Sequence, residues 1–133
     1  MASEFEQLTE HLTKGPPLSQ ADFEKFFNEL DFVPPSDYLE FIRTSDGAEG
    51  FVGRNYLQVW KAEDLAKLNQ DYEVDEYASG YFIFATNGGG TAYAFEKRSQ
   101  IIISFEFVGM LIADEPFVLG RSFLGFLKRL AQS

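Results

Sequence analysis

Twenty-one carboxylates, a single histidine and no cysteine are the chemical means of this 133-residue chain. Its one run with an enzymatic look is Asn87-Gly88-Gly89-Gly90, which follows an apolar segment. A glycine loop in that place makes a phosphate cradle when Lys-Ser or Lys-Thr comes next and a helix starts there, its N–H groups turned to the phosphate. Here Thr91-Ala92-Tyr93-Ala94-Phe95 comes next, alternating as a strand does, and the nearest bases, Lys97 and Arg98, lie beyond it. The missing helix also excludes a dinucleotide fingerprint. The run is therefore expected to be the turn of a β-hairpin whose arms are Tyr81–Thr86 and Thr91–Glu96.

Other chemistries lack parts. His11 has no second histidine and no cysteine to work with, so Ser-His and Cys-His nucleophiles and zinc sites are disfavoured. Two carboxylates suffice for glycoside hydrolysis, but no spacing selects a pair from twenty-one. The densest acidic stretch, Asp71-Tyr72-Glu73-Val74-Asp75-Glu76-Tyr77, lacks the glycine at the sixth position and the Glu at the twelfth that a calcium loop uses. A solvated acidic loop is the plain reading of it. A partner-binding face is the sharper one, because aromatic side chains beside charges are common interface anchors. No catalytic, cofactor-binding or metal-binding residue is assigned. Asp71, Tyr72, Glu73, Asp75, Glu76 and Tyr77 stand as candidate partner-binding residues.

The formal charge is −10. Such a balance opposes nucleic acid and anionic membrane surfaces, which call for basic faces, and it can steer a basic protein partner. The acids crowd the first fifty residues, where eleven face only Lys14, Lys25 and Arg43. Met1–Glu10 has no apolar run, so no signal peptide is expected there, and no segment has the length of a membrane-spanning helix. The expectation is a cytoplasmic protein without cofactor, membrane or nucleic acid, present as a monomer or weak homodimer.

The elements that must carry these residues follow from periodicity. Ser3 with Glu6 has the spacing of a capping box, and Phe5, Leu8 and Leu12 suggest a helix over Ser3–Thr13 that Gly15-Pro16-Pro17 breaks. Ser19 and Asp22 start a second helix with Phe23, Phe26, Phe27 and Leu30 on its inner face. Pro35 and Asp37 open a third, with Tyr38, Phe41 and Ile42 inward and Asp46-Gly47 as its stop. Glu49–Arg54 is expected to be a turn, Leu57–Trp60 a short strand, and Ala62–Asn69 a helix. Ile101–Phe107 is a strand apolar on both faces in its first part, hence interior to the sheet. A short strand is expected over Met110–Ala113. Phe123, Phe126, Leu127 and Leu130 give the last helix one buried face. Helices, then strands, then a helix make an α+β domain.

Taken in order, these pieces resemble the SUKH superfamily, which includes fungal Smi/Knr-type regulators of cell-wall assembly and bacterial immunity proteins. Its first signature, a Leu-Pro-x-Asp-Tyr-x-x-Phe-Leu helix that closes on Asn-Gly, is similar to Val33-Pro34-Pro35-Ser36-Asp37-Tyr38-Leu39-Glu40-Phe41-Ile42 with Asp46-Gly47. Trp60, Glu63, Leu65 and Asn69 match a second element, Phe82 to Phe95 a third, and Phe123-Leu124-Gly125-Phe126-Leu127 the closing helix. The resemblance covers about residues 19–130. It implies one α+β domain over 1–133, with residues 1–18 as an N-terminal helix and proline-containing loop before the core. It implies a twisted, mostly antiparallel sheet of about six strands packed against helices. It also implies a non-enzymatic role: either immunity, by binding a basic and often nuclease-type toxin of a polymorphic toxin system, or a scaffolding module related to the cell-wall regulators. The family's motif residues look like scaffold, so the resemblance assigns no binding residue.

Overall fold

The computed structural model describes residues 3–110 and 116–132. Among them, seven strands form one antiparallel sheet whose spatial order is their order along the chain. The strands are β1 (Leu12–Lys14), β2 (Ala48–Val52), β3 (Asn55–Val59), β4 (Tyr81–Thr86), β5 (Thr91–Glu96), β6 (Ile102–Glu106) and β7 (Val118–Gly120). Six helices interrupt or flank this meander: α1 (Glu4–Leu8), α2 (Gln20–Glu29), α3 (Ser36–Thr44), α4 (Ala62–Asp71), α5 (Val74–Tyr77) and α6 (Phe123–Gln132). No helix among the described residues is long and apolar enough to cross a membrane.

The sheet's inner face packs on α3 and α6 through aromatic rings. Tyr38 lies edge-on to Phe84, Phe95 and Phe123 at centroid distances of 5.4, 4.9 and 5.7 Å. Phe84 stacks on Phe95 at 4.2 Å, and Phe126 of α6 meets Tyr93 of β5 at 4.9 Å. Offset and edge-on geometry adds about 0.5–1.5 kcal/mol per pair beyond area burial. A bulge lets β4 contribute so much: its register against β5 shifts between Ile83 and Ala85, which leaves Phe84 as the extra residue. Ile83, Phe84 and Ala85 are all fully buried, and α4 and α5 pack against β4 from beyond the inner layer. The outer face of β2 and β3 is open instead: Glu49, Phe51 and Gln58 are exposed on it.

Three polar side chains join elements remote in sequence. The Asp37 carboxylate in α3 accepts the Phe123 and Leu124 N–H groups at 3.0 and 2.8 Å, so it caps α6 rather than its own helix. Asp46 accepts the Ala62 N–H at 2.9 Å and caps α4, whose own N-cap residue, Lys61, makes no side-chain cap. Asn69 donates to the Ile83 carbonyl at 2.9 Å and accepts the Ile83 N–H at 2.8 Å. It thereby serves the backbone of β4 where β3, which pairs only with Ala85 and Thr86, does not reach.

The expected hairpin is present, and Gly88 takes φ +79° within it, with the Tyr56 ring so close that a Cβ there would meet Cδ2 at 2.7 Å. Ser3 and Ser19 cap α1 and α2 as their spacing predicts, at 3.1 Å each. Other elements differ. α1 stops at Leu8, and Leu12 opens β1 instead of continuing the helix; the Leu12 N–H bonds to the Thr9 carbonyl and β1 pairs with β2. Glu49–Arg54 is mostly strand, with Gly53 at φ +63° making the reversal. The glycines disguised β2: Gly53 does make the turn, but at Gly50 pairing with both β1 and β3 outweighs its poor strand propensity. Pro35 sits at the N-cap of α3, one position before the first helical turn. The strand expected over Met110–Ala113 falls, after Met110, outside the described residues, and β7, which brings the strands to seven, had no expectation at all.

The Tyr38 hydroxyl is fully buried with no hydrogen-bond partner among the described residues. Burial, and to a lesser degree the Asp46 carboxylate, pushes its pKa far above the usual tyrosine range. Two substitutions test these contacts by urea unfolding. Asn69→Ala leaves the Ile83 N–H and carbonyl unserved and should cost about 2–4 kcal/mol. Tyr38→Phe deletes an unpaired hydroxyl and should leave stability unchanged or raise it by up to about 1 kcal/mol. The sign with pH follows from the raised folded-state pKa. Stability is intact below the unfolded tyrosine value of about 10 and falls as the pH rises above it; in Tyr38→Phe that fall should be shallower. A loss above about 2 kcal/mol in Tyr38→Phe would mean that the hydroxyl has a partner.

Candidate functional site

Asp71–Tyr77 is a helical corner rather than an acidic loop. α4 runs through Asp71, Tyr72 is its C-cap, and α5 begins at Val74. Glu73 joins the two helices in the left-handed region, with φ 54° and ψ 44°. The corner is held by two apolar contacts. Val74 is buried in the core, and the Tyr72 ring lies between Trp60 (6.3 Å, nearly parallel) and Phe107 (4.6 Å). Sequence reasoning took the carboxylates for a sign of a solvated loop. The lone apolar Val74, four residues before the buried Ala78, was the signal for a helical turn.

The corner divides the six candidate residues between two depressions. Asp71, Tyr72 and Tyr77 line a pocket of about 290 Å³ with Phe107, Gly109 and Met110. Glu73, Asp75 and Glu76 line a larger groove of about 590 Å³ on the other side, together with Glu29, Asp31 and Lys97. Tyr77 is 59% exposed, whereas Tyr72 is spent largely on its stack. Sequence spacing gave no hint of Glu29, Asp31 and Lys97, because they come from the end of α2, the loop after it and the turn after β5.

The other chemical candidates gather no site. His11 is exposed, and its imidazole lies 3.3 Å from the Glu10 carboxylate beside it. Among the described residues, no group of three or more His, Asp or Glu side chains is placed to hold a metal ion. The raised tyrosine pKa values have local causes: a hydrogen bond to Glu49 at Tyr56, burial and Glu96 at Tyr81, burial and Glu106 at Tyr93. None of the three faces an acid–base partner other than a carboxylate that disfavours its ionisation.

The model of the SMI1 / KNR4 family (SUKH-1) matches residues 17–129. The chain belongs to this family. Comparison with curated proteins gives no match. In this member of the SMI1/KNR4 family, three polar motif residues are turned inward to the fold, Asp37 to α6, Asp46 to α4 and Asn69 to β4, while Glu63 is exposed. The substitution of Asp for the signature Asn before Gly47 keeps an oxygen acceptor for the Ala62 N–H, and Gly47 takes φ +85° behind it. These three side chains are thus spent on the scaffold, and the corner's own acids, Asp71, Glu73, Asp75 and Glu76, lie outside the motif positions.

A non-glycine residue in the left-handed region costs about 1–2 kcal/mol. Glu73→Gly should therefore raise stability by about 0.5–1 kcal/mol, once the greater freedom of glycine in the unfolded chain is deducted. Glu73→Ala, which keeps the strain, should not. Urea midpoints of the two variants check this, and equal effects would remove the backbone explanation.

Proposed function

We propose that this protein is a non-enzymatic immunity protein that works by stoichiometric binding in the cytoplasm, where it neutralises a basic toxin domain, nuclease-type by preference. The observation that supports this most is the acidic α4–α5 corner, which combines Asp71, Glu73, Asp75, Glu76 and the exposed Tyr77 in a chain of net charge −10. A toxin that must hold phosphates needs a basic cleft, and an acidic cover attracts and blocks such a cleft through complementary potentials. Family membership is compatible with immunity. The engagement of Asp37, Asp46 and Asn69 within the fold leaves the acids of the corner free to suit one partner. The second reading, a scaffolding module of cell-wall regulation, rests on the resemblance to the Smi/Knr-type regulators.

The decisive experiment pairs this protein with the toxin encoded beside its gene. Co-expression should restore growth, and the purified proteins should form a one-to-one complex. A harmless neighbour, or a toxin that binds without being neutralised, would sink immunity and favour the scaffolding role. Within a confirmed complex, Glu73→Lys/Asp75→Lys/Glu76→Lys should slow association by about ten-fold or more at low salt, with the difference shrinking as salt rises. Stopped-flow association rates that match the parent would take the corner out of the interface.

A further inference from the structure

The groove between the end of α2, the α4–α5 corner and the start of β4 is the largest depression described, at about 590 Å³. It is amphipathic. Leu30, Val74 and Phe82, each buried or half-buried, supply apolar lining, and Glu29, Glu73 and Glu76 are exposed around it. One cation already lies in it. The Lys97 side chain is only 19% exposed; its Nζ is 2.9 Å from Asp31 and 3.8 Å from Asp75, and lies 5.9 Å from the centre of the Phe32 ring. The groove thus holds an ammonium group between two carboxylates, with the Phe32 ring near it.

Lys97 satisfies only part of the charge. It is bound to Asp31 and Asp75, while Glu29, Glu73 and Glu76 have no cationic partner among the described residues. Three unneutralised carboxylates around an apolar lining are complementary to a side chain with an apolar stem and a cationic head. We infer that this groove receives an arginine or lysine side chain of a protein partner, seated beside Lys97 with its head among Glu29, Glu73 and Glu76. The inference rests on the proposal that the partner is a basic protein, and it adds what the corner alone does not: Glu29, Asp31 and Lys97 as specificity-determining residues.

A probe independent of any toxin tests it. ¹⁵N-labelled protein is titrated at low ionic strength with a hexa-arginine peptide. Amide shifts should gather at residues 29–31, 69–76 and 97 and saturate. The exposed triple variant Glu29→Gln/Glu73→Gln/Glu76→Gln should bind about ten-fold more weakly, while Glu6→Gln/Glu24→Gln/Glu63→Gln, which removes the same charge elsewhere, should stay within about two-fold. Shifts spread over the whole surface, or equal weakening by both triples, would show attraction by net charge only and overturn the groove. The two proposals separate cleanly. A positive peptide result without a toxin partner keeps the groove and removes immunity. A neutralised toxin that the first triple variant binds as well as the parent removes the groove as its seat.

Discussion

Every buried N–H and carbonyl must find a partner, and in this fold the demand is met across long stretches of chain. A helix start leaves N–H groups that no intrahelical carbonyl serves. α4 takes its cap from Asp46, outside itself, and α6, whose Gly125 N–H is served by the adjacent Ser122 hydroxyl, has its Phe123 and Leu124 N–H groups served by the distant Asp37. β4 has the same need along the half that β3 leaves unpaired, and Asn69 meets it with donor and acceptor together. These contacts fix where α3, α4 and α6 stand relative to the sheet. The ring cluster of Tyr38, Phe84, Phe95 and Phe123 then fills the space so defined. An apolar core of the same composition would collapse in many arrangements; the polar links select one.

Much of this could be seen in the residue pattern, and the exceptions have physical reasons. Local signals were faithful: Ser3 and Ser19 cap their helices, Asn87–Gly90 turns a hairpin, and the apolar stripe of α6 is buried throughout. Signals that tertiary pairing can override were not. Leu12 keeps the helical spacing of Phe5 and Leu8, yet pairing with Gly50 draws it into β1. Gly50, three residues before the turn glycine Gly53, imitates a loop, yet flanking strands on both sides make β2 a strand. Asp37 was expected to favour its own helix electrostatically; its carboxylate instead reaches a helix 86 residues later, which no spacing rule foretells. The candidate surface was legible as composition only. Its acids were evident, while their division between two sides of a corner depends on the left-handed turn at Glu73.

That division gives the surface two characters at close quarters. On one side, aromatic rings are locked into a stack with Trp60 and Phe107, which makes a firm wall. On the other, carboxylates surround a single captive lysine. Rigid apolar support beside unscreened charge suits a partner that is attracted from a distance and then held by fit. Because the corner is tied to the core through Val74, a partner of the proposed kind would meet a preformed shape and cost little ordering entropy.

The reach of Asp37 to α6 also bears on how the protein is made. On the ribosome α6 emerges after every strand, and it carries Phe123, Phe126, Leu127 and Leu130, which close the inner face of the sheet. Until then Tyr38, Phe84 and Phe95 have been synthesised without their cover, and the Asp37 carboxylate has no amides to bind. The nascent meander can pair its neighbouring strands as they appear, but its aromatic face stays open to water until α6 has emerged.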